Sequence, residues 1–313
     1  MSPPNANRFR NLARWLLALS AIGLVWPAPG RAATARVPVV IRAALPNTAF
    51  VHINENDARA ALTLLTRDIG RKYGYETQIE VSLFESVSQL AELVGHGRVQ
   101  IVFCSAWDFV ALGAEDTLEA RFLTVIAGQG QHAALLLARN DRPIARLDDL
   151  RGGRVLLLQS STFPLGRPWI EVSLLEGRLG SLARFFGSCQ TVDKPSAAVI
   201  PVFFGQADAC VVDDSAFATM IEMNPAIGRA LLPIARSVPL ANPIVVFARN
   251  GWEPAALRDD VARGMAELQN DISGRQVLAL FKCDRLRDLD PASLQTIRAL
   301  YMRRKLLQES PGT

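Results

Sequence analysis

Short apolar runs alternate with segments of helical periodicity along most of the chain, and this alternation constrains the fold more than any other feature. Helical patterns lie between and after the runs, for example at residues 57–73, 87–94 and 256–271. Strands that alternate with helices form mainly parallel sheets flanked by helices, so the sequence predicts an α/β fold. The predicted strands are residues 37–43, 77–83, 99–104, 122–126, 133–138, 154–158, 209–212 and 244–248.

At two segments the chain is predicted to pass from one such sheet to another. Residues 128–132 lead into one predicted strand, and residues 237–243 lead back into another. The block between them has strands and helices of its own, which is the pattern of a lobe inserted into another lobe through a hinge. We expect two lobes, each a mainly parallel sheet flanked by helices, joined by two hinge strands. Lobe 1 would comprise residues 36–128 and 241–313, and lobe 2 residues 129–240.

The first 32 residues have the features of an export signal. Basic residues at Arg8, Arg10 and Arg14 precede the apolar run 15–26, and small residues follow around Ala32. This arrangement is typical of a cleaved signal peptide, and the run is short for a membrane span. We expect cleavage near Ala32 and a periplasmic mature protein, with an uncleaved signal anchor as the alternative.

The net positive charge of the sequence lies in that signal. The full chain has 34 Lys and Arg against 30 Asp and Glu, a balance that invites a nucleic-acid function. Residues 1–32 contain Arg8, Arg10, Arg14 and Arg31 and no acidic residue, so 30 basic and 30 acidic residues remain after cleavage. We therefore expect no nucleic-acid partner.

The most informative candidate site follows the predicted strand at residues 154–158. Ser160, Ser161 and Thr162 come directly after it, and a helical pattern begins at about residue 168. Hydroxyl groups and backbone N–H groups at the start of a helix can hold an oxyanion. The alternative is an ordinary helix cap, which Ser and Thr often supply.

Two further candidates lie in the same predicted lobe. Asp213 and Asp214 follow the strand at 209–212, where a carboxylate could bind a metal, an ammonium group or a protonated oxyanion. Either could instead cap the next helix. Lys194 could offset the charge of an anion, although a lone lysine is usually solvated.

Lobe 1 offers candidates after its own strands, where ligands bind in open α/β sheets. Residues 103–109 place Ser105, Trp107 and the carboxylate of Asp108 together at the end of a strand. Trp107 could contact a ligand or could be a packing residue. Asn47, after the first strand, is a candidate by position alone.

Catalytic and metal-binding motifs have little support. The GxGxxA pattern at residues 128–133 is followed by a strand where a dinucleotide site requires a helix. His52, His96 and His132 lack the spacing of zinc ligands or of a catalytic triad. We expect neither a metal nor another cofactor, and no enzymatic activity. The cysteines are isolated in sequence; they are Cys104, Cys189, Cys210 and Cys283. Export permits one disulfide, for example one that includes Cys189, but the spacing does not define it.

A series of stretches, taken in order, is characteristic of one family. They are residues 97–105 (GRVQIVFCS), 147–155 (LDDLRGGRV), 160–162 (SST), 198–213 (AVIPVFFGQADACVVD) and 236–243 (RSVPLANP). The chain resembles the periplasmic phosphate/phosphonate-binding proteins of ABC transporters, which have the type II periplasmic-binding-protein fold. The similarity extends roughly over residues 39–301.

The resemblance implies roles for particular residues. The Ser/Thr run that holds the anionic head group in the family falls on residues 160–162, and an acidic position falls on Asp213. A first-lobe aromatic position, more often Tyr in the family, falls on Trp107 or Phe109. The family's Gly-Ser-His is replaced by Asp-Lys-Pro at residues 193–195, and its Ser-Gly by Phe-Pro at residues 163–164.

We therefore expect a monomeric, exported solute-binding protein that captures a phosphonate-, phosphate- or sulfonate-like anion for an ABC permease. The alternative is a sensing module of the same fold that signals to a membrane partner. An enzyme that used Cys104 or Cys189 as a nucleophile would lack an identifiable base. The predicted ligand-binding residues are Asn47, Ser105, Trp107, Ser160, Ser161, Thr162, Lys194 and Asp213.

Overall fold

The computed structural model describes residues 36–51 and 53–309. The predicted signal peptide at residues 1–32 lies outside the described residues. Within the described ranges, no helix combines the length and the apolar character that a bilayer crossing requires.

The described strands form two large sheets and one small pair. The strands are β1 (Val37–Pro46), β2 (Tyr75–Phe84), β3 (Ile101–Cys104), β4 (Leu118–Val125), β5 (Gln131–His132), β6 (Ala134–Arg139), β7 (Arg154–Leu158), β8 (Ser188–Val192), β9 (Ala209–Asp213), β10 (Leu231–Arg236), β11 (Leu240–Ala241), β12 (Ile244–Ala248) and β13 (Arg285–Asp288). The first sheet has the order β13-β4-β12-β3-β1-β2, and the second sheet has the order β10-β6-β9-β7-β8.

Helices flank both sheets. They are α1 (Glu55–Lys72), α2 (Val87–Gly95), α3 (Ala106–Leu112), α4 (Gly166–Glu176), α5 (Leu182–Phe185), α6 (Pro195–Phe203), α7 (Asp214–Met223), α8 (Pro225–Ala230), α9 (Leu257–Ala266), α10 (Ile272–Leu280) and α11 (Gln295–Glu309). Short 3-10 helices lie at Asn47–Phe50, Leu147–Leu150, Leu268–Asn270 and Pro291–Leu294.

Most described strands in each large sheet point in one direction. β1 pairs in parallel with β2 and β3, whereas β12 pairs antiparallel with both β3 and β4. It follows that β1 to β4 share one direction, and that β12 and β13 are reversed. In the second sheet β6 is reversed against β7 to β10. β6 and β12 are reversed because the chain enters each sheet there from the other sheet. The predicted α/β fold class is confirmed.

Two chain segments connect the large sheets. β5 and β11 lie side by side as an antiparallel pair, with His132 opposite Leu240. The side chain of Asn242 is buried and donates from Nδ2 to the carbonyl oxygens of Thr124 (3.1 Å) and Gln129 (2.9 Å). These hydrogen bonds hold the two connecting segments together where they pass between the sheets.

α1 covers one face of the first sheet. It begins after Asn54, whose Oδ1 accepts hydrogen bonds from the N–H groups of Asn56 (2.9 Å) and Asp57 (3.3 Å). A Cβ at Gly70 would lie 2.5 Å from the Thr77 side chain of β2, so glycine allows the helix to approach the sheet closely. The core between this face and α1, α9 and α10 is apolar; its members include Leu62, Leu65, Val261, Met265, Val277 and Leu278.

Candidate ligand-binding site

A cavity of about 150 Å³ lies where β1, β3 and β4 end and where the loop after β7 approaches them. The first sheet's side contributes Thr48 from the 3-10 helix after β1, and Ser105 and Asp108 from the start of α3. The second sheet's side contributes Ser161 and Thr162. Because ligands in α/β proteins bind at the carboxyl ends of parallel strands, this cavity is the candidate binding site.

The second sheet's contribution is a compact turn. Ser160 Oγ accepts a hydrogen bond from the N–H of Phe163 (3.1 Å) and lies 3.0 Å from Thr162 Oγ1. Neither the N–H nor the Oγ of Ser161 is hydrogen-bonded to any residue that the structure describes. The turn does not cap α4, which follows Leu165 and has no side-chain cap. Ser161 therefore lines the cavity and has two donors without a partner among the described residues.

The first sheet's contribution is a mutual contact between Ser105 and Asp108. Ser105 is the N-cap of α3: its Oγ accepts from the N–H of Asp108 (2.9 Å) and donates to Asp108 Oδ2 (2.7 Å). Burial raises the pKa of the Asp108 carboxyl above its ordinary value, and the bonds from Ser105 oppose this shift. A protonated Asp108 could donate to an oxyanion, whereas an ionised one would repel it.

Asp108→Asn is expected to stabilise the protein more at pH 7 than at pH 4, relative to the wild type. Because the folded-state pKa of Asp108 is raised, its contribution to stability is fully present below the unfolded pKa of about 3.9. That contribution is lost as the pH rises through the higher folded-state pKa. Asparagine stays neutral and shows no such loss. Thermal unfolding between pH 3.5 and pH 8 measures the difference.

The matched control for this prediction is Asp116→Asn, which removes an exposed carboxylate close by in the chain. It should change the melting temperature little at any pH. An Asp108→Asn variant whose stability difference from the wild type is the same at pH 4 and pH 7 would contradict the prediction.

The remaining lining of the cavity is mostly apolar. It comes from the core between the first sheet and α1, α9 and α10, for example from Leu65, Met265, Leu278 and Leu286. This lining connects the cavity directly with the buried apolar core of the first sheet.

The structure brings three predicted site residues into the cavity lining, namely Ser105, Ser161 and Thr162. Ser160, in the same turn, lines a neighbouring part of the cleft together with Asp193 and Lys282. Thr48, Asp108 and Lys282 are not among the predicted ligand-binding residues, although Asp108 belongs to the candidate segment 103–109. Thr48 and Asp108 are direct neighbours of the predicted Asn47 and Trp107, so the sequence signal identified the two loops.

Asn47 and Lys194 are not among the residues that line this cavity. Asn47 is exposed and lines a shallow groove beside Glu85 and Gln89. Lys194 is exposed at the N-cap position of α6. In this conformation both side chains belong to the surface.

Trp107 packs against the C-terminal helix α11. Its ring meets that of Tyr301 edge to face, with the ring centroids 5.2 Å apart, and the Arg304 guanidinium lies 5.6 Å from the indole centre. Arg304 also forms an ion pair with Glu171 of α4 (2.9 Å). Of the two roles that the sequence allowed for Trp107, the structure shows the packing contact.

Asp213 caps α7. Its Oδ1 accepts a hydrogen bond from the N–H of Ala216 (2.8 Å). His132, Asp213 and Asp214 each offer an atom of a type that binds metals, within 4.8 Å of one another. Asp214, however, pairs with Arg236 (2.8 Å) and with His132 (3.0 Å). A guanidinium on the same carboxylate competes with a cation, so this cluster acts as a hydrogen-bonded helix start.

All four cysteines are free thiols. Burial raises the pKa of Cys104 and of Cys189, and it raises the pKa of Cys283 to about 11. A nucleophilic cysteine reacts as the thiolate. These raised values disfavour that form at neutral pH.

The chain is similar to known periplasmic substrate-binding proteins. A family model described as ABC transporter, phosphonate, periplasmic substrate-binding protein matches residues 49–294. No curated protein matches the chain. Among solved structures, a Xanthomonas citri protein bound to ATP has a TM-score of 0.65 at 18% identity, covering 87% of this chain and 99% of that chain.

Two further solved structures are similar in fold. The binding-protein component of an ABC phosphonate transporter from Pseudomonas aeruginosa has a TM-score of 0.60 at 15% identity, covering 88% of this chain and 89% of that chain. PhnD1 from Prochlorococcus marinus, in complex with methylphosphonate, has a TM-score of 0.56 at 14% identity, covering 85% of this chain and 98% of that chain.

At these identities the structural likeness establishes the fold alone, which is that of the two-lobed periplasmic binding proteins. The family match also establishes the family. It covers residues 49–294, which include most strands of both large sheets and the turn that contains Ser161. The chain belongs to the family of periplasmic substrate-binding proteins of phosphonate ABC transporters.

Proposed function

We propose that this protein binds a small oxyanion of the phosphonate, phosphate or sulfonate type and delivers it to an ABC permease for import. The observation that carries the proposal is Ser161, which lines the cavity and whose N–H and Oγ have no partner among the described residues. The signal peptide would be cleaved near Ala32 during export, and the mature protein would act as a monomer.

The proposed lobes are residues 36–128 with 241–313, and residues 129–240. The donors of Ser161 and Thr162 belong to one of them, and Ser105 and Asp108 belong to the other. A ligand that contacts both sides favours the closed arrangement by the free energy of the second set of contacts. The paired segments β5 and β11 would act as the hinge.

The oxyanion would be held mainly by hydrogen bonds. The described lining of the cavity contains no Lys, Arg or His side chain, and it does contain the Asp108 carboxyl. Lys282 lies in the neighbouring part of the cleft, and Lys194 would approach from α6. With one carboxyl close by and cations only at the periphery, the site favours a singly charged oxyanion over a dianion.

Ser161→Ala is expected to weaken the binding of methylphosphonate by about 10- to 100-fold. A hydrogen bond to a charged group contributes about 1.5–3 kcal/mol, and each 1.4 kcal/mol is a factor of ten in affinity. Isothermal titration calorimetry with methylphosphonate, inorganic phosphate and methanesulfonate measures both the affinity and the preferred head group.

Ser181→Ala is the matched control, since Ser181 is an exposed serine of the same proposed lobe and its side chain makes no capping hydrogen bond. Its affinity should equal that of the wild type. Unchanged affinity in Ser161→Ala would remove the proposed head-group site, and the absence of binding for all three anions would remove the proposed function.

A further inference from the structure

We propose that the ligand carries an apolar group roughly the size of a benzene ring beside its oxyanion, and that the core of the first sheet provides the subsite for it. We define the apolar subsite as the part of the cavity lined by Leu62, Leu65, Val277 and Leu278. The inference rests on the proposed function, because the oxyanion end is the site around Ser161.

The polar and apolar lining residues come from different elements. The donors and the carboxyl follow the ends of strands: Ser161 lies in the loop after β7, and Asp108 lies in the first turn of α3 after β3. The apolar subsite is made by side chains of α1 and α10 that otherwise belong to a buried core cluster. One cavity thus joins a hydrogen-bonding region to a hydrocarbon-lined region. Such a lining is complementary to an amphiphilic ligand.

The apolar space continues beyond the main cavity. A second cavity of about 40 Å³ lies between α1 and the first sheet, and it shares Leu45, Leu62, Leu65, Phe103 and Met265 with the first. Native cores are close-packed and contain few voids larger than a water molecule. Two adjoining spaces under one helix therefore distinguish this core from an ordinary packing irregularity.

The chemistry of the lining selects the occupant. An ordered water molecule needs two to four polar partners, and the side chains of the apolar subsite offer none. An apolar cavity of about 150 Å³ is large enough to bind benzene. Here about 150 Å³ is the volume of the whole cavity, including the end beside Ser161, and the second cavity under α1 adds about 40 Å³. The apolar subsite therefore suits an alkyl chain of up to about six carbon atoms, or one aromatic ring, when both spaces are used.

The direct test is a series of n-alkylphosphonates from methyl to octyl, titrated calorimetrically at constant pH. Each methylene group that enters the subsite should tighten binding about fourfold. We expect affinity to rise up to about the hexyl compound and then to stop rising, because the cavity is filled. Equal or weaker binding of the butyl and hexyl compounds relative to methylphosphonate would overturn the inference.

Two substitutions change the size of the subsite in opposite directions. Val277→Phe fills it, so the hexyl compound should bind no more tightly than the methyl compound. Leu65→Ala enlarges it, so the chain length of highest affinity should increase. The matched control is Leu90→Ala, in the core cluster of α2, which does not line the cavity.

Leu90→Ala should lower stability to a similar extent as Leu65→Ala but leave the preferred chain length unchanged. A preferred chain length that shifts equally in Leu65→Ala and Leu90→Ala would contradict the inference, because it would trace the shift to general loosening of the core.

Benzene separates failure of the subsite from failure of the proposed function, since it has no head group. A saturable rise of the melting temperature with benzene, abolished in Val277→Phe, would support the subsite even if no phosphonate bound. Binding of methylphosphonate with no gain from longer chains and no effect of benzene would overturn the subsite alone. Failure of benzene and of every phosphonate would overturn both.

Discussion

Trp107→Ala is expected to lower the free energy of unfolding by about 3–5 kcal/mol, the range observed when a large buried aromatic side chain is truncated. Trp107 is 8% exposed and packs on Tyr301 of α11, so its removal leaves a cavity between α3 and α11. For a chain of this size the melting temperature should fall by roughly 10 °C.

Packing rather than charge accounts for this effect. The ion pairs that connect α11 to α4, Arg303 with Glu176 and Arg304 with Glu171, are formed by side chains that are partly exposed to solvent. Exposed pairs contribute about 0–1 kcal/mol. The contact of Arg304 with the indole face adds about 0.5–2 kcal/mol, and the lost burial of the ring exceeds both.

Urea denaturation followed by circular dichroism measures the stability change, and calorimetry with methylphosphonate measures the accompanying change in affinity. Trp107→Phe is the control and should lose less stability, because an aromatic ring remains against Tyr301. Affinity should stay within about twofold, since Trp107 does not line the cavity. Wild-type stability combined with a tenfold loss of affinity would show that the indole contacts the ligand.

The strands that the sequence predicted best are those buried within the sheets. β7 and β12 have the predicted limits, because each is a run of apolar residues inside a sheet. β8, β10 and β13 were not predicted, and all three lie at sheet edges. An edge strand such as Arg285–Asp288 can be polar, so it leaves no apolar run in the sequence.

The cavity was beyond prediction for a different reason. The predicted helix at residues 256–271 is α9 followed by a 3-10 turn, and α10 was not predicted at all. α10 supplies Val277 and Leu278 to the cavity. The apolar periodicity of a helix shows which face is buried. The space between α1 and α10, however, depends on how these two helices and the first sheet pack together.

In the candidate site, too, positions set by a single strand could be predicted, whereas side-chain directions set by packing between elements could not. Ser161 and Thr162 could be placed at the cavity from the sequence because hydroxyls after a buried strand have a position defined by the strand itself. Asp213 follows a strand equally well, yet it is the cap of α7. Whether a polar group faces the cleft or the next helix depends on the rotation of that helix, which the neighbouring residues do not reveal.

Asn242→Asp is expected to destabilise the protein by about 3–5 kcal/mol at pH 7, the range for an uncompensated buried charge. Asn242 is 4% exposed, and its Nδ2 donates to the carbonyl oxygens of Thr124, near the end of β4, and of Gln129, in the segment that leads to the second sheet. An aspartate of the same shape turns a carboxylate oxygen towards two acceptors. Both hydrogen bonds are lost and the charge is repelled.

The pH dependence of this variant identifies the cause. Burial opposite two carbonyl oxygens raises the folded-state pKa of the new carboxyl above about 3.9, so the destabilisation should be smaller at pH 4, where the neutral acid can donate one bond. Asn140→Asp is the matched control: its exposed Nδ2 also donates to a carbonyl, that of Arg229. Its change should stay below about 1 kcal/mol because water solvates the new charge. Equal losses for Asn242→Asp at pH 4 and pH 7, measured by thermal unfolding, would mean that altered hydrogen-bond geometry and not buried charge governs these connecting segments.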